Sequence, residues 1–236
     1  MASRQEEKEA RRKARLEQEA KERRQASRQK RLQFVLGGVL AVGIVAAVVI
    51  VLIGNSGGDD GGGGGPQTAS SSGVTLPAQE VADLQAAVKA SGCTLTHPAD
   101  EGRGHESKQF TEADYNTNPP TSGAHFPQWA QDGVYEPKNT PDLGQLVHTL
   151  EHGRINIQYK PGTDPELVKK LEAFVAENDG YHMLLYQNPT GMKPQVAATT
   201  WTQSLTCNAD QTGDAMWDAL RTFRDRYIDT GPERVP

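Results

Sequence analysis

The first 33 residues carry no apolar stripe. Leu16 and Leu32 are isolated among Ala, Glu, Lys, Arg and Gln, so the periodicity predicts at most a solvated or membrane-surface helix. The pattern then inverts. Residues 34–53, FVLGGVLAVGIVAAVVIVLI, contain neither a charge nor a proline. At about 1.5 Å rise per residue, such a run matches a hydrocarbon core of roughly 30 Å and reads as one transmembrane helix. A secretory signal peptide is the competing reading, but its apolar region is usually about 7–15 residues and its charged region short. Gly54-Asn55-Ser56 leaves cleavage of the anchor an open question. Residues 54–75 are dense in Gly and Ser and cannot bury enough surface to offset chain entropy, so they read as a flexible linker.

From residue 76 to residue 236 the pattern is that of one folded domain. Val81, Leu84 and Val88 stand at helical spacing within 79–90, before Ser91-Gly92. Residues 97–145, rich in Gly, Pro, Asn and Thr, predict a long ordered loop, a kind of segment that is often functional. A short helix carrying His148 and His152 follows, closed by Gly153. Ile155 to Tyr159 alternates apolar and polar, the signature of a strand. Thr163-Asp164-Pro165-Glu166 reads as a capping box opening a helix with Leu167, Leu171 and Phe174 on its buried stripe. Tyr181 to Gln187 predicts a second strand and Val196 to Thr206 a third. Met216, Leu220, Phe223 and Tyr227 mark a last amphipathic helix. Strand, helix, strand, strand, helix is an α/β plan, either thioredoxin-like or ferredoxin-like, with a loop-rich segment before it.

Charge adds an orientation. Residues 1–33 hold 12 Lys and Arg against 6 Glu, a net +6, which leaves −11 on the remainder. Basic residues directly before an apolar span place the amino terminus in the cytoplasm and everything after Ile53 outside. The arm therefore faces the bilayer's anionic lipid head groups, worth on the order of 1 kcal/mol per basic residue close to the surface. It has no aromatic or motif support for nucleic-acid binding, and none is expected. The two cysteines, Cys93 and Cys207, both fall on the outer side, where an isolated pair reads as a disulfide rather than as two metal thiolates. Closing so long a loop stabilises by up to about 4–5 kcal/mol in the chain-entropy model.

The sharpest chemical signal is His148-Thr149-Leu150-Glu151-His152-Gly153, an H-x-x-E-H-G string. Histidines at i and i+4 share a helical face and can share a metal, and the inverted zinc-peptidase motif uses this order for two ligands and a general base. Such a peptidase also needs an acidic ligand downstream, for which Glu166, Glu172, Glu177 and Glu233 are available. Two ligands are not a site. His125, fixed in a Pro/Gly-rich loop, and His105 are the next candidates. His182 and Met183 follow, and a methionine ligand would favour Cu(I). The plain alternative is structural, with His148 bonded to the loop after Thr121-Ser122-Gly123 and Glu151 paired with Arg103 or Arg154. Ser122 beside His125 lacks a nucleophile elbow and reads as a turn residue. The cysteines lack C-x-x-C spacing, so no redox activity follows from a thioredoxin-like plan. Trp129, Trp201, Trp217 and Tyr135 read as core and loop anchors, and no phosphate loop, dinucleotide fingerprint or EF-hand is present.

The blocks Pro119-Pro120-Thr121-Ser122-Gly123-Ala124-His125 and Leu146-Val147-His148-Thr149-Leu150-Glu151-His152-Gly153 resemble a bacterial family catalogued as domain of unknown function 3105. The resemblance runs from Gly102-Arg103-Gly104-His105 to Thr230-Gly231-Pro232-Glu233. It implies an extracytoplasmic domain behind an amino-terminal membrane anchor and brings no activity with it. Three expectations stand on the residues. The first is a single-pass membrane protein whose outer domain binds zinc or copper through His125, His148 and His152, with His105 or His182 completing the shell and Glu151 orienting a histidine. The second is an envelope hydrolase using Glu151 as base on a metal-bound water. The third is a metal-free structural ectodomain, or one that binds an envelope protein partner, with its histidines scattered as loop braces.

Overall fold

The computed structural model describes residues 66–68 and 73–233, all within the compact unit 62–236. The arm 1–33 and the span 34–53 lie outside the described residues, as does most of the linker 54–75. No helix among the described residues is long and apolar enough to cross a membrane.

The domain is mixed α/β. Its elements are α1 (Leu84–Ser91), β1 (Thr94–Thr96), β2 (Gly133–Val134), α2 (Leu143–Glu151), β3 (Ile155–Tyr159), α3 (Pro165–Ala176), β4 (Met183–Gln187), β5 (Val196–Thr200), β6 (Gln203–Cys207) and α4 (Asp214–Tyr227). The six strands form one sheet in the order β1-β6-β5-β3-β4-β2. β3 and β4 pair in parallel, as β2 and β4 do, while β5 runs antiparallel to β3 and to β6, and β1 antiparallel to β6.

Local chemistry sets the element ends. Asp83 caps α1, accepting from the Ala86 amide at 2.9 Å, and Gly92 leaves the helix at φ 71°. The cap of α3 is Asp164, which accepts from the Glu166 amide. The expected box from Thr163 does not form, because the Thr163 hydroxyl donates to the Lys160 carbonyl. The single strand expected over 196–206 is two strands, β5 and β6, folded back at Trp201-Thr202. Thr202 takes φ 58° there, and a break of this kind leaves no gap in the apolar pattern that would betray it. The loop expectation holds for most of 97–142, broken by short 3-10 turns at Glu112–Asp114 and Pro137–Asn139. Gln67, inside the stretch read as linker, exchanges backbone hydrogen bonds with Val134 of β2 at 2.8 and 3.0 Å.

The two faces of the sheet differ in chemistry. Ile155, Ile157, Met183, Leu185, Val196, Ala198 and Leu205 join Leu171 and Phe174 of α3 and Met216, Trp217, Leu220 and Phe223 of α4 in one apolar core. The Sγ atoms of Cys93 and Cys207 lie in this core, 2.05 Å apart, at disulfide distance. The intervening positions of β3 are also buried, so its alternation marks two covered faces rather than one face in water. On that second face Asn156 donates to the Leu146 carbonyl at 2.9 Å and accepts from the Thr149 hydroxyl at 3.0 Å. Both partners belong to α2, so one amide side chain fixes the histidine helix to the sheet.

Buried amides of this kind lose more when one partner vanishes than a single hydrogen bond is worth. Asn156→Ala is expected to lower the unfolding free energy by about 1–3 kcal/mol in urea titrations. A value near zero would show that α2 is held by apolar packing alone.

Candidate metal centre

Helix α2 is short and tightly covered. Gly144 in its first turn has no side chain, and a Cβ there would lie 2.5 Å from Phe110 and 2.8 Å from Phe126. Both rings belong to the long loop, which thereby packs onto the helix. A second stretch of that loop runs beside the first. The His125 amide donates to the Gly104 carbonyl at 2.9 Å, and the Glu106 amide to the His125 carbonyl at 2.8 Å, bringing His105 and His125 side by side.

The result is a convergence of side chains. The ring centroids of His125 and His148 are 4.7 Å apart, those of His105 and His125 4.8 Å, and those of His105 and His148 4.9 Å. His105, His125, His148 and Glu151 each offer one ligand atom, all within 4.8 Å of one another. Glu151 Oε2 is 3.0 Å from His125 Nε2 and 3.5 Å from His105 Nε2. His125, His148 and Glu151 are buried and His105 is exposed.

The proton positions follow from the acceptors. His125 Nδ1 lies 2.8 Å from the Gly123 carbonyl and His148 Nδ1 lies 2.5 Å from the Phe126 carbonyl. A carbonyl only accepts, so both Nδ1 atoms carry hydrogen, and in the neutral rings both Nε2 atoms are lone pairs. Metal-bound histidines are held in this way, the second nitrogen donating to a backbone carbonyl and fixing the tautomer. His125 Nε2 then faces a carboxylate oxygen, a contact met either by a proton on Nε2 or by a metal ion held between the two atoms.

Burial holds the His148 ring below the ordinary imidazole range. Its hydrogen bond to Phe126 works against this, and the neighbouring His125 and His105 add to it. His152 is pushed down to about 4, first by burial and then by His148 and Arg154. Both rings are therefore neutral near pH 7, the form that can ligate.

His152 stands at the end of α2 rather than within it. Its Nε2 is 2.9 Å from His148 Nε2 and 3.5 Å from Glu233 Oε2. The chain's last described residues bring that carboxylate in. The Asp229 amide donates to the Gly153 carbonyl at 2.9 Å and the Glu233 amide to the Glu151 carbonyl at 3.0 Å. Where this strap crosses the helix end, a Cβ on Gly231 would be 2.2 Å from the Glu151 carbonyl oxygen. The indole of Trp129, 43% exposed, covers the rings of His152 at 4.8 Å and His148 at 5.6 Å.

Several sequence-based expectations change. His182 does not complete the shell: its Nδ1 lies 2.6 Å from Asp229 Oδ1, away from the cluster. Met183 is fully buried in the apolar core on the opposite face of the sheet, so the methionine ligand that favoured Cu(I) is not there. His97 contacts Gln203. Glu151 pairs with neither Arg103 nor Arg154; Arg154 donates to Asp132 at 2.6 Å. Glu151 directs its Oε2 at His125 and His105. The structural reading gains its carbonyl hydrogen bonds to His125 and His148 but not its scattering. Ser122 is buried and accepts from the Glu101 amide at 3.0 Å, a loop tie. Sequence reasoning gave Trp129 no role at the cluster, and of the four acidic residues it offered to the His148/His152 pair the structure brings Glu233 there, at 3.5 Å from His152. The Gly231-Pro232-Glu233 run was the available signal for that choice.

Two measurements check this geometry. Gly231→Ala is expected to destabilise by about 1–3 kcal/mol, the usual cost of overpacking, against little change in Gly104→Ala, where a Cβ meets only ordinary contacts at 3.8 and 3.9 Å. Equal effects would show that the strap is loosely seated. A histidine whose folded pKa lies below its unfolded value contributes stability that is lost as pH falls between the two. In chelator-treated protein the His152 contribution should therefore disappear from pH about 6.5 to about 4, and His152→Gln should flatten that part of the profile. An unchanged profile would contradict a buried neutral ring.

A family model described as "Protein of unknown function (DUF3105)" matches residues 105–234, a stretch that includes all six residues of the cluster. No curated protein and no solved structure matches the chain. With more than half of its length covered by that match, the chain belongs to the DUF3105 family of proteins of unknown function.

Proposed function

We propose that this is a metal-binding domain whose ion is held by His105, His125, His148 and Glu151. The observation that carries the reading is the tautomer constraint, with two buried imidazoles donating through Nδ1 to backbone carbonyls and meeting a carboxylate and a third histidine within 4.8 Å. Three imidazoles and one carboxylate are borderline-to-hard donors without sulfur, a set for zinc or copper(II) rather than Cu(I). The four protein ligands fill a tetrahedral shell, which favours binding or storage of the ion over hydrolysis.

The setting we infer is extracytoplasmic. The apolar run 34–53 and its basic flank support a single-pass anchor with the amino terminus inside and anionic lipids as the arm's partner. The cysteine pair at disulfide distance suits an oxidising compartment. The β3–α3–β4–β5–β6–α4 run, with β3 and β4 parallel and β5 and β6 antiparallel to their neighbours, supports a thioredoxin-like layer over a ferredoxin-like one.

The test is metal content. The purified full-length chain is expected to carry about one equivalent of zinc or copper, lost in His125→Ala/His148→Ala while circular dichroism is retained. At zinc one hundred times its dissociation constant, the wild type should gain about 2.7 kcal/mol of stability and the double variant none. A wild type that takes up neither ion after loading would end the metal reading and leave the histidines as an ion-paired brace.

A further inference from the structure

Resting on the metal reading above, we propose that the cluster contains a second, outer seat for the same divalent ion, formed by His148, His152 and Glu233, and that the two seats are used alternately because they share His148. The outer ligand atoms also lie within 4.8 Å of one another. Glu233 is not a stray surface carboxylate. Its own amide is tied to the Glu151 carbonyl, and Gly231 seats the strap against the helix end. The His148 and His152 Nε2 atoms approach to 2.9 Å, and His152 Nδ1 is buried without a partner. Hydrogen bonding alone does not settle this pair. A proton on His152 Nε2 leaves Nδ1 a bare buried acceptor, whereas a proton on Nδ1 leaves a buried N–H unsatisfied and sets two lone pairs face to face. A cation between the two Nε2 atoms, with the Glu233 carboxylate completing its charge, removes the clash of lone pairs in the second case.

The sharing is forced by His148. Its Nδ1 is committed to the Phe126 carbonyl, so the ring has one lone pair and can ligate one ion at a time. The domain therefore binds one equivalent in total. The inner seat has three imidazoles and a carboxylate and the outer seat two imidazoles and a carboxylate, so the inner seat is the tighter. The ion exchanges between them by swinging its bond to His148 Nε2 from one side to the other, without leaving the protein.

The experiment uses metal-stripped full-length protein titrated with Zn²⁺ in competition with a chelator, and with Co²⁺ followed by its visible spectrum. Wild type and Glu233→Gln should each bind one equivalent. His125→Ala/Glu151→Gln should still bind one equivalent, ten- to a hundred-fold more weakly and with a changed Co²⁺ spectrum, and adding Glu233→Gln to it should abolish binding. Thermal melting of each variant confirms that it is folded. Binding in the wild type but none in folded His125→Ala/Glu151→Gln would overturn the outer seat and leave the inner one standing. Two equivalents in the wild type would overturn the sharing. Unchanged affinity in His125→Ala/Glu151→Gln, with loss in His152→Ala/Glu233→Gln, would keep the outer seat and refute the inner one. No binding by the wild type would overturn both.

Discussion

The packing of one loop on one short helix is the constraint from which the rest of the cluster follows. Phe110 and Phe126 reach the backbone of α2 only because Gly144 offers no side chain to hold them off. That contact carries the Phe126 carbonyl to His148 Nδ1 and the Gly123 carbonyl to His125 Nδ1, so the same loop that supplies one imidazole also orients another. The helix in turn is held from below by Asn156. A strand that spends an amide on its buried face gives up some hydrophobic contact and gains a fixed register for the helix above it. Orientation thus passes from sheet to helix to loop through hydrogen bonds whose partners are nearly all backbone carbonyls.

Much of the frame was legible beforehand. The helices ending at Gly92 and Gly153, the strand at 155–159, the strand at 183–187 (expected from 181) and the final amphipathic helix follow from apolar period and end chemistry, which are local properties. The misreadings have local causes too. Trp201-Thr202 turns the chain without Gly or Pro, so β5 and β6 looked like one strand. Thr163 and Asp164 are both good cap residues, and the choice between them rests on where the Lys160 carbonyl lies, which no local pattern reveals.

The site divides along the same line. His148, Glu151 and His152 announce themselves by spacing, and His125 by its rigid loop. What the spacing could not convey is direction. Glu151 turns toward His105 and His125 while His152 turns toward Glu233, so one motif contributes to two separate groupings. The long separation between His152 and Glu233 is closed by backbone contacts at Gly153 and Gly231, and a contact between two glycines leaves no trace in hydropathy. His182 misled for the converse reason: close to the cluster in sequence order, it is drawn to Asp229 instead.

The edges of the sheet bear on how this domain meets other molecules. β1 is three residues long and β2 two, and the outer side of β2 is already taken by Gln67. Neither rim presents a run of free amides and carbonyls on which an incoming strand could build. Among the described residues these rims therefore disfavour strand addition. The exposed aromatic rings, Trp129 over the histidines and Tyr181 stacked on His182, are what the described surface offers for recognition through side chains.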